Sequence, residues 1–126
     1  MMKINPEYGY VFLRVNIALV FIWFGVQQLY APMEWTSFVP EFFGKFVSSV
    51  ILVIGNGIVE VLFGMLLLSG FYVRFVAFVL AVHLFGIALS VGYNPIMVRD
   101  VGLACATFAV FLFGDDRWCL EKRYPA

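Results

Sequence analysis

Apolar residues dominate four long stretches of this chain, which are separated by short polar or proline-containing segments. The stretches cover residues 8–30, 47–69, 71–93 and 98–114. Each comes close to the ~20 apolar residues that a membrane crossing requires, and none alternates apolar and polar positions as a half-buried strand does. Because a backbone inside lipid has to satisfy its own hydrogen bonds, these stretches are expected to be helices.

The connections between the stretches predict how the helices are arranged. The segment GFYVR joins the second stretch to the third, and YNPIMVRD joins the third to the fourth. Short connections place consecutive helices side by side in opposite directions. The pattern therefore predicts an all-α fold, a four-transmembrane-helix antiparallel bundle that forms one membrane domain over residues 1–126. Residues 115–126 are predicted to form a charged tail on the cytoplasmic side.

The composition agrees with an integral membrane protein and excludes an ordinary soluble domain. The chain is 63% hydrophobic and 13% charged, with a mean hydropathy of +0.97 and no net charge. Soluble domains are about half apolar and about a quarter charged. The lipid bilayer is therefore the expected surrounding, and the balanced charge gives no reason to expect a nucleic-acid partner. Cys105 and Cys119 belong to no disulfide framework or metal motif.

Lysine and arginine residues indicate how the bundle is oriented across the membrane. Those on the same side as the N terminus are Lys3, Arg14, Arg74, Arg117, Lys122 and Arg123, whereas Lys45 and Arg99 fall on the opposite side. Cytoplasmic ends of transmembrane helices carry an excess of these residues. Both termini of this multi-pass protein are therefore predicted to be cytoplasmic, with the bundle in the inner or plasma membrane of the cell.

The first outer loop, EWTSFVPEFFGKF, has an unusual share of aromatic residues at helical spacing. Pro40 interrupts any continuous helix there, although a proline can open a short one. The sequence predicts an interfacial segment that lies on the outer leaflet or folds back into it. Two interpretations are open: an aromatic belt that anchors the bundle, or a lid over a cavity.

Three ionisable side chains, Arg14, Glu60 and His83, fall inside predicted helices. The helical rise places them ~9, ~15 and ~14 Å from the cytoplasmic ends of their helices. An ionisable group in a span costs ~3 kcal/mol and persists where it faces a partner or a cavity. The three groups are therefore expected to share one layer, in which Arg14 pairs with Glu60.

Further polar residues share helix faces with these groups. Gln28 lies on the same stripe as Arg14, and Asn56 lies one turn before Glu60. Asp100 opens the fourth stretch beside Arg99, and with Gln28 it forms a second polar layer near the outer surface. Gln28, Asn56 and Asp100 are predicted to contact a bound head group, although interfacial anchoring is the alternative for Asp100.

Each ionisable group also has a structural alternative. An Arg14–Glu60 pair could serve helix packing alone, or it could handle a substrate or a proton. His83 is either a core residue with satisfied hydrogen bonds, or a group that relays protons and hydrogen-bonds a quinone carbonyl. The chain carries no P-loop, dinucleotide-binding, nucleophile-elbow or zinc-ligand motif, so no metal site is predicted.

Several motifs, taken in order, resemble the DoxX-like family of small four-helix membrane proteins. They are Arg14, FGVQQLY, Pro40 in the outer loop, VEVLFGMLLLSGFYVRF and the ending FGDDRWCLE, and together they span residues 11–121. The resemblance points to Arg14, Gln28, Glu60, Gly64, Gly70 and Arg74. Gln28 departs from the family pattern, which commonly has a basic residue there, and Glu121 stands where aspartate is common.

The resemblance also implies a function. Some members are subunits of a thiosulfate:quinone oxidoreductase, and others are linked with thiol redox defence. By analogy, this chain is expected to be a membrane subunit associated with quinone-linked sulfur or thiol oxidoreduction. Arg14, Glu60 and His83, the three ionisable groups placed in one layer above, are its expected catalytic groups. The expected cofactor is a quinone that is not covalently bound, and a soluble or membrane redox protein is the expected partner. A small transporter or permeation protein and a structural subunit of a membrane complex are the alternative functions, and a homo-oligomer is also left open.

Overall fold

The computed structural model describes residues 4–39, 45–91, 93–116 and 118–119, and it consists of long α-helices joined by short connections. The helices are α1 (Pro6–Tyr30), α2 (Ser49–Ser69), α3 (Val73–Val91) and α4 (Pro95–Phe113), and a 3-10 segment (Pro32–Phe38) follows α1. All four α-helices are long and apolar enough to cross a membrane. No β-strand occurs in the described residues. The predicted all-α bundle of four transmembrane helices is confirmed.

Local sequence determines where α1 and α4 begin. The Asn5 and Asn94 side chains accept hydrogen bonds from backbone N–H groups of the first turn, at Glu7 (2.9 Å) and Met97 (2.8 Å) respectively. A proline follows each cap, at a position where the missing N–H removes no helical hydrogen bond. The fourth helix accordingly begins at Pro95, earlier than the predicted residue 98, and Asp100 lies inside the helix rather than at its start.

The turn between α2 and α3 depends on Gly70, which has a φ of +88°. The Gly70 and Phe71 N–H groups both donate to Leu66 O, at 2.9 and 3.0 Å. Glycine adopts this left-handed conformation without the strain that a side chain would cause. A Cβ at Gly70 would also lie 2.6 Å from Cys119 Cα. The glycine therefore permits both the reversal of the chain and the close approach of the segment after α4.

The helices pack mainly in two antiparallel pairs, α1 with α2 and α3 with α4. At Gly25, α1 comes so close to α2 that an added Cβ would lie 2.8 Å from Gly57 O. At Gly64, an added Cβ would lie 3.3 Å from Ala18 O on α1. Small residues at a crossing let helix backbones approach closely inside a membrane. These two contacts fix the height at which each residue of α2 stands beside α1.

The two ends of the bundle differ. We call the end where α1 begins and α4 finishes the termini end, and the opposite end, which carries the 3-10 segment, the loop end. The buried apolar core reaches from the middle of the bundle to the termini end, and it includes Ile17, Leu67, Val73, Leu80 and Val110. Many large apolar side chains on the outer faces are exposed, as helices surrounded by lipid require.

The predicted interfacial segment is described in part, because Pro40 and residues 41–44 lie outside the described residues. Trp35, in the 3-10 segment, contacts the ring of Phe24 on α1 edge to face, with the ring centroids 5.8 Å apart. Trp35 and Val39 also line a cavity inside the bundle. These contacts favour the lid over the aromatic belt among the two interpretations of this loop.

Candidate functional site

Polar side chains from three helices meet inside the bundle. Asn56 Nδ2 on α2 donates to Gln28 Oε1 on α1 (2.8 Å) and to Glu60 Oε1, one turn along α2 (3.1 Å). Asn56 Oδ1 is hydrogen-bonded to His83 Nε2 on α3. We call Gln28, Asn56, Glu60 and His83 the polar cluster. Asn56 is its centre, because it bonds directly to the other three residues.

The hydrogen bonds of Asn56 determine which nitrogen of His83 carries the proton. An asparagine amide offers two N–H donors and one oxygen acceptor. Both donors of Asn56 are taken by carbonyl or carboxyl oxygens, on Gln28 and Glu60. Asn56 Oδ1 is therefore the acceptor towards His83, and Nε2 donates. In the neutral ring, His83 Nδ1 is then the nitrogen that accepts a hydrogen bond or a proton.

A cavity of about 800 Å³ extends from the polar cluster towards the loop end. All four helices and the 3-10 segment contribute to its wall, which is mostly aliphatic and aromatic. The polar lining consists of the polar cluster together with Ser90, Arg99 and Asp100. An apolar cavity with a few convergent polar groups is the usual form of a small-molecule binding site.

Glu60 forms part of the cavity wall and is itself almost fully buried, at 4% exposure. Its Oε1 accepts from Asn56, whereas no described residue hydrogen-bonds its Oε2. A buried polar atom without a partner is costly, more so within a membrane. A functional role is one explanation for such an atom in a native protein. Glu60 is therefore a candidate site residue.

Asp100 lies on α4 at the loop-end part of the cavity. Its side chain is 16% exposed and lies 3.9 Å from Arg99 Nε, whose side chain is 65% exposed. At this distance the pair is loose, and an exposed pair contributes little to stability. The structure thus brings Asp100 into the same cavity as Gln28, Asn56, Glu60 and His83. Members of both predicted polar layers therefore line one cavity, with the exception of Arg14.

Arg14 lies elsewhere, at the termini end. Its Nε donates to Asp116 Oδ2 at 2.7 Å, and its Nη1 donates to the Leu67 and Leu68 carbonyl oxygens at 2.9 and 2.7 Å. Arg14 and Asp116 are each 2% exposed. We call this pair the end clamp, because it ties the start of α1 and the end of α2 to the segment that follows α4.

The predicted Arg14–Glu60 ion pair is therefore wrong. On α1, Gly25 lies against Gly57 and Val61 of α2, so Glu60 stands near the height of Gly25 and Arg14 is some three turns, ~16 Å, nearer the termini end. Side chains also lean towards the N terminus of their own helix. In an antiparallel pair this turns Arg14 and Glu60 away from each other. Arg14 does not line the cavity.

The partner that Arg14 does have was missed, because Asp116 was assigned to a charged tail. Gly114 N–H still donates to Val110 O at 2.9 Å, and the chain then folds back across the termini end. Asp116 also accepts from Trp118 N at 3.0 Å, and the Trp118 ring stacks on Tyr8 of α1. A buried arginine needs an acidic partner, and this need was the signal in the sequence. The sequence contains several carboxylates, however, and does not show which one pairs with Arg14.

Cys119 completes the termini end and is fully buried against Gly70. Burial raises the pKa of its thiol. A backbone hydrogen bond with Asp116 and the nearby Arg14 charge lower the pKa and partly offset this effect. A thiol with a raised pKa in an apolar site is poorly reactive. Both Cys105 and Cys119 are free. The described residues contain no group of three or more His, Cys, Asp or Glu side chains that could hold a metal ion.

Comparison with known protein families supports the sequence resemblance. The family model described as DoxX matches residues 9–93 of the chain. The matched region contains Arg14, the whole polar cluster and the turn at Gly70, whereas Asp100 and Asp116 lie beyond it. Searches of the curated proteins and of the solved structures found no significant match.

Proposed function

The chain therefore belongs to the DoxX family of membrane proteins, and on this premise we propose that its cavity binds the head group of a quinone. In this proposal the protein is a membrane subunit associated with quinone-linked sulfur or thiol oxidoreduction. A soluble or membrane partner protein exchanges electrons with the bound quinone. The observation that carries the proposal is the polar cluster at the closed end of a large, mostly apolar, membrane-embedded cavity.

The chemistry of the cavity suits a quinone better than a polar solute. A quinone ring is flat and apolar on its faces, and its carbonyl oxygens accept hydrogen bonds. Phe24 and Trp35 supply aromatic wall on one side, and the polar cluster supplies the hydrogen-bonding groups. Apolar enclosure with a few placed polar groups gives both affinity and orientation.

Each residue of the polar cluster has a role in this proposal. His83 Nδ1 accepts a proton from the hydroquinone form of the ligand. In the reverse direction, the protonated imidazole returns that proton to the reduced quinone. Asn56 holds the His83 ring in position, as a second hydrogen-bonding group commonly does for a catalytic histidine. Glu60, bonded to Asn56 in the wall, is the next site for that proton. Gln28 and Asp100 orient the head group from α1 and α4.

The proposal also includes an orientation, with both termini in the cytoplasm and the cavity opening in the outer half of the cell membrane. The sequence supports it, because more lysine and arginine residues precede α1 or follow α4 than lie between α1 and α2 or between α3 and α4. Ile4 and Met33 are similarly exposed, at 69% and 70%, on opposite ends of the bundle. In a C105A/C119A background, we expect an impermeant maleimide to label M33C in intact cells and I4C only after lysis. The reverse pattern would refute the orientation.

The Trp35 ring provides a direct test of quinone binding, because quinones quench indole fluorescence at short range. The chain has three tryptophans, so the W23F/W118F variant retains Trp35 alone, in the cavity wall. We expect a short-chain ubiquinone to quench Trp35 saturably in purified protein in nanodiscs. The measurement is a fluorescence titration at fixed lipid content.

The matched control is the W23F/W35F variant, which retains Trp118 at the termini end, stacked on Tyr8 at 5.5 Å. Quinone dissolved in the lipid quenches both proteins in proportion to its concentration, whereas a bound quinone quenches Trp35 preferentially. Equal, non-saturating quenching of the two variants would contradict the proposal and leave the transporter and structural-subunit alternatives.

A further inference from the structure

The cavity has an exposed side between α2 and α3. Most of its lining residues are buried or half-buried. Besides Arg99 on α4, the exposed ones are Ile51 and Gly55 on α2 and Ser90 on α3. The Ile51 side chain is 60% exposed. These three residues lie on the loop-end halves of two neighbouring helices. The cavity is therefore accessible from the flank of the bundle as well as from its loop end.

The packing of the helices explains why the opening lies there. α1 packs extensively on α2, and α3 on α4, whereas α2 and α3 make far fewer contacts with each other. The hydrogen bond between Asn56 and His83 joins α2 to α3 at the inner end of the cavity. Beyond it, towards the loop end, the two helices form opposite walls of the cavity.

Gly55 lies beside this opening, and its lack of a side chain leaves the opening unobstructed. It lines the cavity, it is exposed, and a Cβ built on it would meet no atom within 4 Å. Gly55 follows Ser49, the first residue of α2, by six positions, which places it ~9 Å inside the helix. At that depth a transmembrane helix is surrounded by hydrocarbon rather than by water.

We infer that the gap between α2 and α3 at Gly55 is a lateral portal that holds the hydrocarbon tail of a chain-bearing, lipid-soluble ligand. The inference rests on the proposed function and extends it, because it identifies the ligand as a quinone with a long alkyl or isoprenoid chain. The head group lies against the polar cluster, and the tail passes Gly55 and leaves between α2 and α3 into the bilayer. Gly55 is then a specificity-determining position for ligands that carry a tail.

The test compares two ligands that share a ring and differ in their chains. Trp35 quenching is titrated with a ubiquinone that has one short isoprenoid unit and with a ubiquinone that has a decyl chain. A bulky side chain in the portal displaces the tail but leaves the ring site intact. For G55F, and for the smaller G55L, we expect at least ~10-fold weaker binding of the decyl ligand and at most ~2-fold for the short ligand, since tail burial supplies the affinity that is lost.

Gly86 on α3 gives the matched control. It is also exposed with no atom near an added Cβ, but it does not line the cavity. G86F is expected to bind both ligands as the unmodified protein does. Equal loss of both ligands in G55F and G55L, or unchanged binding of both, would overturn the portal alone. Failure of the unmodified protein to bind either ligand would overturn the proposed function and the portal with it.

Discussion

Replacing Asp116 by alanine is expected to lower the free energy of unfolding by about 3–5 kcal/mol, the cost of removing one member of a buried ion pair. Asp116 accepts two hydrogen bonds from Arg14, at 2.7 and 3.3 Å, and one from Trp118 N at 3.0 Å. Among the described residues, the buried guanidinium then retains the Leu67 and Leu68 carbonyl oxygens and no carboxylate. The measurement is unfolding in mixed micelles followed by circular dichroism.

The adjacent Asp115 is the matched control, because it is exposed. D115A is expected to change the unfolding free energy by less than ~0.5 kcal/mol, as surface substitutions usually do. The double variant R14M/D116L removes both charges and is expected to lose less than the sum of the single variants R14M and D116L. A D116A protein as stable as D115A would show that the end clamp does not stabilise the bundle.

The second large effect is expected for Asn56→Asp, which preserves the shape of the side chain and removes its N–H donors. An oxygen then faces Glu60 Oε1 and Gln28 Oε1, which both accept from Asn56 Nδ2 in the native protein. Gln28 can rotate its amide so that its N–H group faces the new oxygen. The Glu60 carboxyl can offer a donor to that oxygen only when it is protonated. One carboxylate oxygen still accepts from His83 Nε2, whereas the repulsion between oxygens displaces the Glu60 carboxyl from its place in the cavity wall.

Quinone binding, measured by Trp35 quenching, is expected to weaken at least ~10-fold in N56D, which corresponds to the loss of ~1.4 kcal/mol or more. Ser90→Ala is the control, since Ser90 lines the same cavity and its hydroxyl donates to Ile87 O within its own helix rather than to the polar cluster. We expect S90A to bind within ~2-fold of the unmodified protein. Equal affinities of N56D and S90A would show that the polar cluster takes no part in binding.

Much of the site was already indicated by the sequence. Asn56 and Glu60 are four residues apart, so they share a helix face whatever surrounds them, and the structure joins them at 3.1 Å. Gln28 and His83 were also predicted to point inwards, because polar side chains in a membrane helix avoid lipid. The structure brings all four together and adds the contact between Asn56 and His83.

The depth of Arg14 in its helix did not reveal its partner, because height along a helix is only one of the coordinates that decide a contact. Register between α1 and α2 depends on where Gly25 meets Gly57, which no count from the helix ends provides. Side chains also lean towards the N terminus of their own helix, so those of two antiparallel helices are displaced in opposite directions along the bundle. Together they move Arg14 to the termini end, where Asp116 and free helix-end carbonyls satisfy it.

By itself, the sequence determined that four apolar helices cross a membrane, that they alternate in direction, and that a few polar side chains face inwards. These properties follow from local composition, because lipid requires internal backbone hydrogen bonds and rejects unpaired charge. Only the tertiary structure decided which polar groups meet: Asn56 with Gln28, Glu60 and His83 around one cavity, and Arg14 with Asp116 at the far end. Those pairings depend on helix register and on the path of the chain after α4, which are set by close packing at a few glycines and not by the pattern of apolar positions.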